Sequence, residues 1–514
     1  MRYNYKSSGF SRRSFLKTFT AAAVAAAADY SLGSGVHSVI ANSIAANEGQ
    51  TPNIVFILAD DLGYSSINCF GADKELVRTP HIDKLAESGI RFTNAYTPAS
   101  ICSPTRYGFV TGRYPWRSSM KFGVVDPGAP LLPDPSRVTI ADWLKNRGYE
   151  TAAIGKWHLG YGSSENGEFV DFTGKLSPGP LDLGFDYHFG VPQNHGDMYG
   201  VYVENDGIYG LRSRERHPYS KTFYGSQYRG YDAPQRVNKD VMGDLTDKAV
   251  EWLRVRSEDK PFFLYFNPVA VHHPITPSDY MRGVSDCGPY GDFIQDVDLS
   301  VGRLVEALEY MNLKENTIII FTSDNGGDIP GDPSKPERYA QSCGLEINGK
   351  LKGDKHTIWE GGCKVPFIFS WDKINRKGAL SNDMISLIDV FATVCEITDG
   401  KLPESEDTAP DSFSFLSSLK GPAAGSSRKA MVISDVHGRQ ALIAGGWKYI
   451  DDTLPEGLAK ARSGVVKSFK KELYNLKDDP SESRNICDKH PDIAEKMFSR
   501  LEKIRSVNSS RTVN

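Results

Sequence analysis

Asn53-Ile-Val-Phe-Ile-Leu-Ala-Asp-Asp-Leu-Gly63 is the stretch whose reading decides the fold. A short unbroken apolar run is the pattern of a strand buried on both faces, and such a strand belongs to a sheet with helices on each side. This one stops abruptly at two carboxylates, Asp60 and Asp61. The same pattern recurs along the chain. Glu150–Ile154 runs into Gly155-Lys-Trp-His-Leu-Gly160, and Pro261–Phe266 runs into Asn267–Pro274. Thr317–Phe321 runs into Thr322-Ser-Asp-Asn-Gly-Gly327, and Pro366–Ser370 reads as a further strand. Helices are predicted between them over Thr79–Gly89, Val138–Gly148, Leu245–Arg254, Ile294–Met311 and Ile385–Ile397. Strands alternating with helices give an α/β fold, a large and mostly parallel sheet sandwiched by helices. The polar clusters sit after strands, where open α/β sheets hold their ligands.

Outward from this core the pattern changes twice. Residues from about 162 to 235 are rich in Gly, Tyr, Asp and Arg without a clear period and read as a long functional loop or a disordered stretch. Beyond about 420 come short strands at Ala430–Ser434, Gln440–Ile443 and Trp447–Ile450, then a helix over Pro491–Ile504. The organisation is an export signal and spacer over 1–46, a main domain over 50–420, and a small α+β C-terminal domain over 421–514.

The N-terminus reads as an address. Ser11-Arg-Arg-Ser-Phe-Leu-Lys17 followed by Ala21–Ala28 fits a twin-arginine export signal, or a general secretory signal with two arginines in its basic region. Its apolar run is far short of the ~20 residues a bilayer needs, so no membrane span is expected. Ala41, Ala45 and Ala46 are candidate cleavage positions, and the expected destination is periplasmic or extracellular. The 514-residue chain has 39 % hydrophobic and 24 % charged residues and a net charge of −4. Removing 1–46 takes away five cations and Asp29, which moves the charge to −8. That balance argues against a nucleic-acid partner, which selects a basic face. Seven scattered cysteines form neither a metal-type pair nor a disulfide framework.

Ala99-Ser-Ile-Cys-Ser-Pro-Thr-Arg-Tyr-Gly-Phe-Val-Thr-Gly-Arg113 carries the most specific chemistry. Ser103 is a suitable N-cap and Pro104 a suitable first helical residue. Cys102 then sits at a helix mouth, where free N–H groups favour an anion, with Arg106 one turn in. Read on these residues alone, Cys102 is a small buried hydrophobe beside an ordinary helix start. Asp60, Asp61, Asp324 and Asn325 supply three carboxylates and an amide from two strand ends. That all-oxygen set suits Ca²⁺ or Mg²⁺ and poorly suits zinc or copper. Lys156 and His158, two apart on a segment read as extended, would point the same way.

Cys-x-Pro-x-Arg with Thr-Gly-Arg resembles the signature of the formylglycine-dependent sulfatases of the alkaline phosphatase superfamily. Gly155–Gly160 resembles that family's second signature, and Leu351–Gly362 its last core motif, with His356 where glycine is more frequent. Glu472-Leu-Tyr-Asn-Leu and Asp479-Pro-Ser-Glu are similar to its closing segment. The resemblance implies that Cys102 is converted by a formylglycine-generating maturation enzyme to Cα-formylglycine, whose hydrate is the nucleophile. It implies a divalent metal, usually calcium, on Asp60, Asp61, Asp324 and Asn325. Arg106, Lys156 and Lys355 would bind sulfate. His272, alone or with Lys355 and with His273 as fallback, would protonate the leaving group, and His158 would take a proton from the hydrate. The implied substrate is a sulfate ester, and export favours a sulfated carbohydrate. Asn194, His195, Asp197, Arg212 and Arg214 are the candidate specificity residues. A phosphonate or phosphodiester hydrolase of the same superfamily is the alternative, and a noncatalytic sulfoglycan-binding protein is a third reading.

Overall fold

The computed structural model describes residues 51–164, 169–221, 227–403, 407–421, 427–454 and 469–513. The export segment and its candidate cleavage positions therefore lie outside the described residues. Among the described residues sixteen strands form three sheets. They are β1 (Asn53–Ala59), β2 (Gly89–Tyr96), β3 (Glu150–Lys156), β4 (Tyr187–Val191), β5 (Val203–Glu204), β6 (Gly207–Ile208), β7 (Ser213–Lys221) and β8 (Gln227–Asp232). Then follow β9 (Phe262–Asn267), β10 (Thr317–Ser323), β11 (Phe367–Ser370), β12 (Ala379–Ser386), β13 (Ala430–Ser434), β14 (Gln440–Ala444), β15 (Trp447–Ile450) and β16 (Glu472–Asn475).

The main sheet has ten strands in the order β12-β2-β11-β10-β1-β9-β3-β4-β5-β6. Its centre, from β10 through β4, is parallel. β11 runs antiparallel to both neighbours, as do β4 with β5 and β5 with β6, so the sheet is mixed away from the centre. Every residue of β1, β9 and β10 is buried, as continuous apolar runs require when both faces are covered. One cluster packs Phe56, Phe109 and Tyr265 on one face, and another packs Ile57, Phe266 and Phe293 on the other.

Alternation of strand and helix holds, with three differences. Ile385 belongs to β12, and the following helix begins only at Asp389, because Asp389 accepts the Ser386 N–H and turns the chain. β2 was hidden behind the Gly89 helix stop, where one glycine ends the helix and opens the strand. The 162–235 stretch contains β4 to β8, of which β5 and β6 have only two residues each and β7 and β8 are polar in sequence, so no period is legible there. β13 to β16 form a separate four-stranded antiparallel sheet, and the Pro491–Ser506 helix packs on it through Met497, Leu501 and Ile504.

Candidate active site

Register brings the strand-end motifs together. Ala59 of β1 pairs with Ser323 of β10, so Asp60 and Asp324 leave the sheet side by side. Gly155 of β3 pairs with Asn267 of β9, which sets Lys156 level with the chain that leads to His272. Gly155 has φ +120°, and a Cβ there would stand 1.9 Å from the Asn267 carbonyl oxygen, so only glycine allows the approach. A Cβ on Gly326 would stand 1.8 Å from the Gly361 oxygen, which packs the Asp324 turn against the Lys355 loop.

The helix at Cys102 starts two residues earlier than expected. It spans Cys102–Thr111 with Ile101 as an extended N-cap that lends no side-chain bond. Ser103 is not the cap, because its Oγ accepts the Val125 N–H at 3.1 Å. Pro104 is still tolerated, since N–H groups of the first turn have no partner within the helix. Cys102 is buried, its Sγ 3.8 Å from Asp60 Oδ1. Burial pushes its thiol up to about 12, against the pull of Lys156 and Lys355. No two of the seven cysteines form a disulfide.

Around Cys102 each carboxylate holds a cation. Lys156 Nζ donates to Asp60 at 2.7 and 3.0 Å. Arg106 grips Asp324 Oδ2 through Nε at 3.1 Å and Nη2 at 2.7 Å, and Nη1 donates to the Lys156 carbonyl at 3.0 Å. Lys355 Nζ donates to Asp61 Oδ2 at 2.7 Å. Burial raises Asp60 to about 7 although Lys156 opposes it. For Lys355 burial acts downward, but Asp61 and other anions override it and hold the ammonium well above its usual range. Asp60, Asp61, Cys102 and His272 bring donor atoms within 4.8 Å of one another.

His158 differs from the extended reading. It stands in the left-handed region, φ 55°, because Trp157 and His158 donate their N–H groups to Val191 and Pro192 while the Trp157 side chain enters the core. Burial first, then Lys156 and Arg106, hold its imidazole neutral. His272 is likewise kept neutral by burial and by Lys355. Its Nδ1 lies 2.6 Å from the His273 carbonyl, so Nδ1 carries the proton and Nε2 faces Asp61 Oδ2 at 3.8 Å. His273 turns elsewhere, to Asp328 Oδ2 at 3.6 Å. Asp328, one residue past Gly326-Gly327, was missed. Its signal was its place as the next carboxylate after the Asp324 turn.

The candidate specificity residues are not gathered in the same way. His195 Nε2 contacts the Pro274 carbonyl at 2.7 Å, and Asp197 holds Arg236 at 2.6 Å, so both brace the loop. Arg212 pairs with Asp232 at 2.7 Å on the β7–β8 hairpin, and Arg214 is exposed on β7. Asn194 keeps a buried Oδ1 without a hydrogen bond among the described residues.

The chemistry of the donors tests whether a metal fits. Asn325 Nδ2 donates to Asp61 Oδ1 at 2.8 Å, while its buried Oδ1 has no hydrogen-bond partner among the described residues. An orphaned amide oxygen beside three carboxylates is what a hard cation satisfies. The site fits a divalent ion.

Residues 52–400 match the sulfatase family model. The chain belongs to the sulfatase family. An N-acetylgalactosamine-6-O-sulfatase of Bacteroides thetaiotaomicron is 34 % identical over 495 residues, covering 89 % of this chain and 94 % of that protein. Human arylsulfatase A is 30 % identical, covering 85 % of this chain and 83 % of its own. A solved sulfatase from work on glycosaminoglycan metabolism by Bacteroides thetaiotaomicron superposes with a TM-score of 0.79 at 31 % identity, covering 89 % of this chain and all of that one. The sulfatase is therefore a sulfuric ester hydrolase. No helix among its described residues is long and apolar enough to cross a membrane.

Proposed function

We propose that this sulfatase hydrolyses a sulfate ester on a carbohydrate, with residue 102 as a formylglycine and a divalent cation, Ca²⁺ or Mg²⁺, held by Asp60, Asp61, Asp324 and Asn325. The observation that supports it is the position of Cys102, at the first residue of a helix and within 3.8 Å of an acid that Lys156 also holds. A bound cation would supply Lewis-acid polarisation of oxygen. Arg106, Lys156 and Lys355 orient a sulfate group by charge in a site without bulk water. An anionic ester near His272 favours its charged form, and a proton on Nε2 then serves the departing oxygen. His158, neutral, is set to accept one from the hydrate. An N-terminal export signal and a maturation enzyme that makes the aldehyde belong to this reading. The 6-sulfate named for the bacterial relative makes 6-sulfated N-acetylgalactosamine the first substrate to test. Purified protein should carry an aldehyde in the peptide containing residue 102 and release free sulfate from a panel of sulfated saccharides. An aldehyde-bearing protein that releases none overturns the proposal.

A further inference from the structure

A cleft of about 600 Å³ lies between the outer strands of the main sheet and the C-terminal sheet, lined by none of the groups gathered around Cys102. Its walls carry Lys364, Lys429, Lys477 and Arg500, on four separate segments of the chain. Arg428 also lines it but is gripped by Asp389, and the one carboxylate in the lining, Glu360, is shared by Lys448 at 3.1 Å and Lys364 at 3.8 Å, which leaves it overmatched by cations. The balance of the walls is therefore positive, in a chain whose net charge is −4. The β14–β15 turn helps to form the cleft through Gly445 and Gly446, both left-handed at φ 61° and 87°. A Cβ on Gly446 would stand 2.8 Å from Lys477 Cε, so the bare glycine lets the lysine stem pack against the turn. Lys364 donates to Asn94 Oδ1 at 3.0 Å, which fixes its ammonium at the wall.

We propose that this cleft is a second, noncatalytic binding site for a polyanionic saccharide, a segment of the same sulfated chain whose ester is cleaved at residue 102. The inference rests on the carbohydrate reading above. Cations spread around a low-dielectric recess concentrate anions and form charge-assisted hydrogen bonds to sulfate or carboxylate oxygens. The volume lies within the few hundred to about 1,000 Å³ of a small-molecule site, room for a short saccharide segment. Cations from four separate segments suit a ligand with several anionic groups better than a single ion. A chain held there would raise the effective concentration of its other residues at the catalytic pocket.

The test compares mature enzyme with K429E/K477E/R500E by electrophoresis through gels with and without chondroitin sulfate. The variant should be retained by the polymer about tenfold less, the effect of losing several charge-assisted contacts. Its kcat/KM on a sulfated monosaccharide should stay at the wild-type value while KM on the polymer rises. K429Q/K477Q/R500Q repeats the measurement should charge reversal impair folding. Equal retention of variant and wild type overturns the proposal. So does release of the polymer by inorganic sulfate as readily as by free chain at matched ionic strength, which marks a simple anion site. Weaker retention of the variant, with no sulfate released by either protein, supports the cleft and overturns the hydrolytic reading instead.

Discussion

Lys448 on β15 is a fully buried ammonium between two carboxylates, and Lys448→Met should expose what it holds together. Its Nζ lies 2.9 Å from Glu482 Oε1 and 3.1 Å from Glu360 Oε1. Glu482 Oε2 in turn accepts the Glu360 N–H at 2.6 Å. One cation thus pins the C-terminal sheet to the short Glu360–Cys363 helix, which ends the loop bearing Lys355. Methionine fills nearly the same volume, so the change removes charge with little change of packing. Two carboxylates are left buried with fewer partners, and breaking a buried pair in this way costs about 3–5 kcal/mol. Urea unfolding followed by tryptophan fluorescence should show a lower midpoint with unchanged slope. K448M/E482Q should recover about 1–3 kcal/mol, because it neutralises one stranded acid. Glu360 keeps the Tyr96 hydroxyl at 2.7 Å and Lys364 at 3.8 Å in both variants. A midpoint for K448M equal to wild type would refute the argument, and so would a double variant weaker than the single.

Other outcomes follow from the same geometry. His188 lies between the Ala153 carbonyl and the Tyr161 hydroxyl, and burial lowers it from 6.5 to about 4. Its neutral form therefore lends stability that is complete above pH 6.5 and is lost as pH falls through 4, about 3 kcal/mol in all; urea midpoints from pH 7 to 4 should fall more steeply in wild type than in H188Q. His272→Ala should lower kcat about 10²–10⁴-fold on a sugar sulfate and much less on an aryl sulfate, whose leaving group needs no proton; steady-state rates on both substrates check it. Gly326→Ala forces a Cβ into the Gly361 carbonyl and should lower both the melting temperature and kcat, read by calorimetry and sulfate release. Ca²⁺ at 100 times its dissociation constant should stabilise the protein by about 2.7 kcal/mol, and Asp61→Asn should abolish that thermal shift.

The central sheet was legible because its strands are continuous apolar runs, and nothing but burial on both faces explains Ile54 to Leu58 or Ile318 to Phe321. The polar groups of the site were legible as residues at strand ends, since register alone brings Asp60 beside Asp324. What local pattern does not carry is pairing over distance. Asp197 looks like a ligand-binding carboxylate until Arg236, far along the chain, occupies it. Ser103 looks like a cap until Val125 arrives from the next loop. β11 has the composition of a parallel strand, and only its neighbours reveal that it runs the other way. Glu482, in the closing segment, stands at φ 51° with its carboxylate under the Glu360 helix, a role that its surroundings in sequence do not announce.

The acid doublet after β1 divides labour. Asp60 reaches toward Lys156 and Arg106, whereas Asp61, one residue on and turned left-handed, reaches toward Lys355, Asn325 and His272. One neighbour gathers two of the three cations proposed to grip the anion, and the other gathers the third, Lys355, together with His272, the proposed proton donor to the departing alcohol. Drift in the loop around 273–277 can therefore retune which alcohol is accepted while the grip behind Asp60 stays as it is.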